Sequence, residues 1–236
     1  MEIDALQTAR APTFSLGRRG RSLITASAVA GISYATAWVV GLAVWPSNLD
    51  VAASNLKVLA TYRAHHGAAM TQYVLVEGLA AIALAVVVNA LGQAARRRGA
   101  RRLGAAAVVA GLTAVAVSLI ECVLGLLLAD SVAPHGETER AGRLFDLINR
   151  LDGVKMFALA ALAVAGFGLV RRTVVPRWLG YTAALLTVAL IASGVGYLLL
   201  NTTLAQAALL SGPLLLVWVT GAGVALALTS RSGAPA

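Results

Sequence analysis

Long apolar runs, separated by short polar stretches, set the pattern of this chain. Six runs stand out, at roughly 22–45, 68–92, 103–129, 154–170, 178–200 and 205–229. A helix of about 20 mainly apolar residues, with a range of about 17–25, crosses the hydrocarbon layer of a bilayer. None of the runs alternates apolar with polar residues, as the strands of a membrane barrel do. The pattern predicts an all-α polytopic bundle of six transmembrane helices over 22–230. A disordered basic arm over 1–21 precedes it and a short tail over 231–236 follows it.

Two of the intervening stretches carry patterns of their own. In 136–152 the residues Leu144, Leu147, Ile148 and Leu151 recur at i, i+3, i+4 and i+7, one stripe of a helix. Acids open the segment and Gly153 follows it, in keeping with helix-end preferences. In 50–66 the spacing is looser, with Leu56, Leu59 and Arg63 leading to His65-His66-Gly67. Both segments read as short external amphipathic helices lying on the membrane surface or capping the bundle. An offset of 86 residues pairs Lys57 with Arg143, Leu59 with Phe145, Gly67 with Gly153 and Met70 with Met156. Shared membrane composition accounts for so few identities as well as an internal repeat does.

Composition narrows the class. Hydrophobic residues make up 59% of the 236 and charged residues 12%, with mean hydropathy +0.81. A soluble domain carries about 25% charged residues, so most of this surface is left for lipid to solvate. The net charge of +9 does not imply nucleic acid, because the basic residues sit at the ends of apolar runs rather than along one face or groove. One set of ends holds Arg10, Arg18, Arg19, Arg21, Arg96, Arg97, Arg98, Arg101, Arg102, Arg171, Arg172, Arg177 and Arg231, which is 13 of the 19 cations. The other set holds Lys57, Arg63, Arg140, Arg143, Arg150 and Lys155 among six acids. The positive-inside rule then puts the arginine-rich ends and both termini in the cytoplasm of a bacterial inner (plasma) membrane. The first run is too long for a signal peptide and ends at Trp45-Pro46 without a small-residue cleavage site. Cys122, the one cysteine, lies within an apolar run and makes no disulfide or thiolate metal cluster with a partner in the chain.

Two acids fall inside apolar runs, where an ionisable group costs at least about 2.5–3.5 kcal/mol on insertion scales. Glu77 lies about 14 Å, and Glu121 about 12 Å, below the same external end at 1.5 Å per residue. The face around Glu121 carries Ala114, Val117, Ser118 and Gly125, mostly small, and that around Glu77 carries Tyr73, Ala80 and Ala81. Gln72 stands near the external mouth, Tyr34 and Trp38 at comparable depth on the first run, and Lys155 just inside the fourth as a counter-ion. These seven residues, Glu77, Glu121, Tyr73, Trp38, Tyr34, Gln72 and Lys155, form the candidate binding site. The competing reading makes the acids protonated helix-packing groups, since desolvation favours the neutral acid. His65-His66 lacks a third metal ligand, Asn149 and Asp152 read as helix caps, and Trp45, Trp178 and Tyr197 read as interfacial anchors. No phosphate loop, zinc-protease motif, nucleophile elbow or prenyl-diphosphate motif occurs, and no cofactor or metal is expected.

Arg171-Arg172, then Pro176-Arg177-Trp178-Leu179-Gly180, then Gly196-Tyr197 resembles a family of small six-helix bacterial membrane proteins, common in actinobacteria, whose function is unknown. The resemblance covers 150–229 and implies the six-helix layout; it carries over no catalytic residue.

Three classes of function fit these residues. The favoured one is membrane-embedded binding or proton-linked transport of a lipophilic or cationic small molecule, with the paired carboxylates as the protonatable site. The second is an intramembrane enzyme using one Glu as general acid on an isoprenoid-like substrate, similar in plan to small membrane terpene cyclases. The third is a structural or regulatory subunit. The sequence does not fix an oligomeric state. The topology is tested by cysteine labelling: an impermeant reagent outside the cell should modify a Cys placed at Thr138 and spare one at Gly99, and the reverse pattern would refute the orientation.

Overall fold

A computed structural model describes residues 18–45 and 49–229; the rest of the expected arm, Pro46 and the expected tail lie outside the described residues. The long helices are α1 (Arg18–Val44), α3 (His66–Arg97), α4 (Arg101–His135), α5 (Thr138–Val170), α6 (Arg177–Leu198) and α8 (Ala208–Thr229). The short ones are α2 (Asn55–Ala64) and α7 (Thr202–Ala205), the latter running on into α8. Among the described residues there is no strand, and six helices are long and apolar enough to cross a membrane. They pack in a ring in the order α1, α3, α4, α5, α6, α8 and back to α1. Outward-facing side chains such as Val109, Val123, Val188 and Leu209 are at least 65% exposed, a surface that lipid satisfies and water does not.

Close helix contact rests on small residues and on hydrogen bonds across the seams, since apolar burial does not draw helices together in lipid. The Ser27 hydroxyl of α1 donates to the Gly223 carbonyl of α8 at 3.1 Å, and Thr220 of α8 donates back to Gly31 at 3.0 Å. At the arginine-rich end the Arg98 guanidinium donates to both the carbonyl and the hydroxyl of Thr173, at 3.1 and 3.0 Å, tying two loops together. At the other end Asp50 Oδ1 accepts from the Ala52 N–H at 3.0 Å and the Thr202 hydroxyl at 2.8 Å. Those two donors hold the Asp50 carboxyl below the usual carboxylate range.

The segment 137–152 is not a separate surface helix. It is the first part of α5, whose 33 residues run for about 50 Å against a hydrocarbon layer of about 30 Å. Its inward stripe is also rotated from the expected one. Ala141, Phe145, Ile148 and Asn149 are buried, whereas Leu147 is 44% exposed and Leu144 and Leu151 are half-buried. The reason is tertiary: Val58, Leu59 and Tyr62 of α2 join Phe145 and Ile148 in an apolar cluster at the loop end, and that packing decides which face turns in. Gly153 stops nothing; it lies mid-helix, where α6 passes so near that a Cβ would stand 2.8 Å from the Gly194 carbonyl. Gly67, its partner at offset 86, sits instead just after the break between α2 and α3, with open space around it. The two halves of the chain are thus built differently at this point.

This contrast gives a prediction. Gly153→Val forces α5 from α6 and should cost about 1–3 kcal/mol, the usual range for overpacking. Gly67→Ala should leave stability unchanged or slightly raised. Thermal unfolding of the purified protein in detergent distinguishes the two, and equal effects would refute the close approach.

Candidate functional site

Glu77 precedes Arg97, and Glu121 follows Arg101, by the same 20 residues, about 30 Å of helical rise. Measured from the arginines, both acids therefore stand at one level along the bundle. Lys155 reaches the same level from α5, and its ammonium is the meeting point of three helices. It donates to Glu77 Oε1 and Oε2 at 2.9 and 2.8 Å and to Glu121 Oε2 at 2.5 Å. A third carboxylate, Asp152, stands one turn back on α5 with Oδ1 2.8 Å from the ammonium. Ser118, buried on α4, adds a hydroxyl near Glu77. The Lys155 side chain is 4% exposed and that of Glu121 1%.

The local backbone helps aim these groups. Glu77 lies within a π-helical stretch, Tyr73–Leu79, and a second such stretch, Leu127–Val132, follows Glu121 on α4. Wide turns of this kind are uncommon and gather at functional sites. The small face of α4 has a definite use. The Tyr73 ring lies over Gly125, in the space where any Cβ would stand. Tyr73 and Tyr62 share a hydrogen bond between hydroxyls at 2.7 Å, and Trp45 meets the Tyr62 ring edge to face at 5.1 Å. Burial pushes the Tyr62 phenol up to about 12, so it stays a neutral hydrogen-bonding group.

Between these aromatics and the acids lies a half-open cavity of about 230 Å³. Its walls are Trp45, Leu49, Val51, Tyr62, Tyr73, Phe145 and Tyr197, and Gln72, Asn149, Asp152, Glu77 and Glu121 add polar groups. With every group ionised, three carboxylates and one ammonium leave a formal charge of −2. One oxygen, Glu121 Oε1, is buried without a hydrogen-bond partner among the described residues. A buried acceptor in that position calls for a proton, a water or a cation.

The seven residues singled out in the sequence divide into two groups. Glu77, Glu121 and Lys155 meet directly, and Gln72 and Tyr73 line the cavity. Tyr34 and Trp38 do not line it; they pair with each other on α1, ring centroids 6.5 Å apart, with Tyr34 buried behind the cluster. Asp152 and Asn149 are not caps, because α5 begins at Thr138. Asn149 donates to the Phe145 carbonyl at 2.9 Å within the helix. Trp45 and Tyr197 are cavity walls, whereas Trp178 stays half-exposed at the arginine-rich end. The i, i+3 spacing of Asp152 and Lys155 was the available sign that both share a helix face. His65 and His66 are exposed, and among the described residues no three His, Cys, Asp or Glu side chains are grouped to hold a metal ion.

Comparison with family models, with curated proteins and with solved structures returns no match.

Lys155→Met would leave three buried carboxylates without a cation. Removing one partner of a buried ion pair costs about 3–5 kcal/mol. The variant should therefore lose more stability in detergent than Glu121→Gln, which removes one of the mutually repelling acids. A Lys155→Met protein as stable as wild type would show that the ammonium is not the counter-ion on which the cluster relies.

Proposed function

We propose that the protein binds a lipophilic or cationic small molecule within the membrane and exchanges it for protons, with Glu77, Glu121 and Asp152 around Lys155 as the exchange site. One observation carries this reading: an aromatic-walled cavity leads to three carboxyl groups gathered on a single lysine. A group meant only to hold helices together is better served by a matched, enclosed pair, because excess buried charge is costly. The excess therefore supports an occupant, proton or cation, that comes and goes. The arginine-rich ends would face the cytoplasm, so that the cavity faces outward.

The test uses proteoliposomes loaded with a pH-sensitive dye and challenged with a panel of organic cations and neutral lipophiles. Wild-type protein should move protons in response to at least one of them. Glu77→Gln and Glu121→Gln should each reduce that response by about tenfold or more, the scale of one lost charge-assisted hydrogen bond, while the protein stays folded. If both variants only lower stability and leave proton movement intact, the acids are packing groups and the reading fails.

A further inference from the structure

Lys155 occupies a place that a diffusible cation would suit. Its ammonium has gathered carboxylate oxygens from α3, α4 and its own helix, three carboxyls to one cation, and Glu121 Oε1 is buried with no hydrogen-bond partner among the described residues. The walls above are rich in aromatic side chains: Trp45, Tyr62, Tyr73 and Phe145 line the space that ends at the acids. Aromatic faces attract a diffuse organic cation by their quadrupole and do so best away from water. A hard metal ion would need six or more oxygen ligands instead. A half-open cavity of about 230 Å³ has room for a small ammonium head beside the acids.

We infer that the ligand of this site is a compact organic ammonium ion, of the size of tetramethylammonium or choline, and that Lys155 is a tethered stand-in for it. In the resting arrangement the lysine partly neutralises the acids. The incoming cation settles among the aromatics beside Asp152 and Glu77, the two acids of the cluster with exposed side-chain surface, and any proton the cluster's carboxyls carry is released. Tyr34 of α1, Tyr73 of α3, Cys122 of α4 and Tyr197 of α6 are the other titratable groups electrostatically coupled to the cluster. Being neutral, the phenols and the thiol leave the charge balance to the three acids and the lysine. This inference rests on the exchange reading above and narrows its ligand.

The experiment is calorimetric titration of the purified full-length protein with tetramethylammonium, run in two buffers of different ionisation enthalpy so that proton release is read directly. Tetrahexylammonium serves as an oversized cation and acetate as an anion. Tetramethylammonium should bind saturably with proton release, and the other two should not bind in the cavity. Lys155→Gln should tighten tetramethylammonium binding by about tenfold or more by removing the internal competitor. Glu121→Gln, which keeps the shape of the side chain, should weaken it by a similar factor and so provides a second variant should the lysine substitution fail to fold. Equal affinity for tetramethylammonium and tetrahexylammonium, or binding indifferent to Glu121→Gln, would overturn the inference. Proton release with a neutral or larger lipophile but not with tetramethylammonium would also overturn it, leaving the broader exchange reading in place. No proton release with any compound would remove both.

Discussion

A single ammonium group, that of Lys155, reconciles three carboxylates with an apolar bundle, and the geometry of three helices follows from that. Moving an ion of this size from water to a medium of low dielectric costs on the order of 20 kcal/mol in the idealised limit, and several after relaxation. Such groups persist in the interior only when their partners are held at contact distance. Glu77 on α3, Glu121 on α4 and Asp152 on α5 therefore have to reach the same level as Lys155, and this fixes the axial register of the three helices. Apolar side chains alone would not do so. In lipid, one Val or Leu contact exchanges for another with little loss, and helices that present only such faces are free to slide. The seams complement this constraint. Gly125 admits the Tyr73 ring, and Gly153 admits the backbone of α6, each drawing the walls of the site together.

How much of this was legible in the sequence depends on which force decides each feature. The six helices were readable because hydrocarbon tolerates no unsatisfied backbone, so length and apolarity suffice. The glutamates were readable because charge in an apolar run is conspicuous, and their similar rise below the external ends of their runs put them at a common level. The faces were harder. In a soluble helix the polar side marks what is outside, but here Val109 faces outward and Ala107 inward, and both are apolar. The inward stripe of 141–149 was missed for a related reason: Leu144 and Leu147 are more apolar than Ala141 and Asn149, yet α2 covers the latter side. Local helix-end rules misplaced Asp152, Asn149 and Gly153 together. An acid, an amide and a glycine in succession resemble a helix boundary until the long-range packing of α5 against α6 is known. Trp45 and Tyr197 were misassigned because an aromatic at the end of an apolar run serves an interface and a cavity wall equally well.

The two ends of the bundle differ in a way that bears on the proposed exchange. Among the described residues, the arginine-rich end carries Arg96, Arg97, Arg98, Arg101, Arg102, Arg171, Arg172 and Arg177 with no acid beside them. The other end mixes both signs and holds the cavity. Below the cluster the interior is closed by Leu84, Leu91, Leu162, Leu186, Leu190 and Trp218, all buried. A cation leaving the cluster toward the arginines would meet a dry apolar core and then a field of its own sign. A cation entering from the cavity meets aromatics and then carboxylates. On the proposed exchange, access to the cluster would be from the cavity side, and passage to the other side would require the core helices to part.

The charge balance indicates what would let them part. While Lys155 bridges α3, α4 and α5, separating those helices exposes buried ions to lipid, and the cost of breaking such a pair, about 3–5 kcal/mol, opposes it. A proton on a carboxyl, or a cation seated beside it, reduces the demand on the lysine and so lowers that cost. On the proposed exchange, occupancy and helix register would be linked through one quantity, the net charge of the cluster. A ligand shifts a conformational equilibrium only by its difference in affinity between the two states. Here that difference would come from how completely each state can surround the cluster with opposite charge. On this view the excess of carboxylates over lysine gives the site its capacity to respond: a neutral cluster would hold the helices equally well and have nothing to exchange.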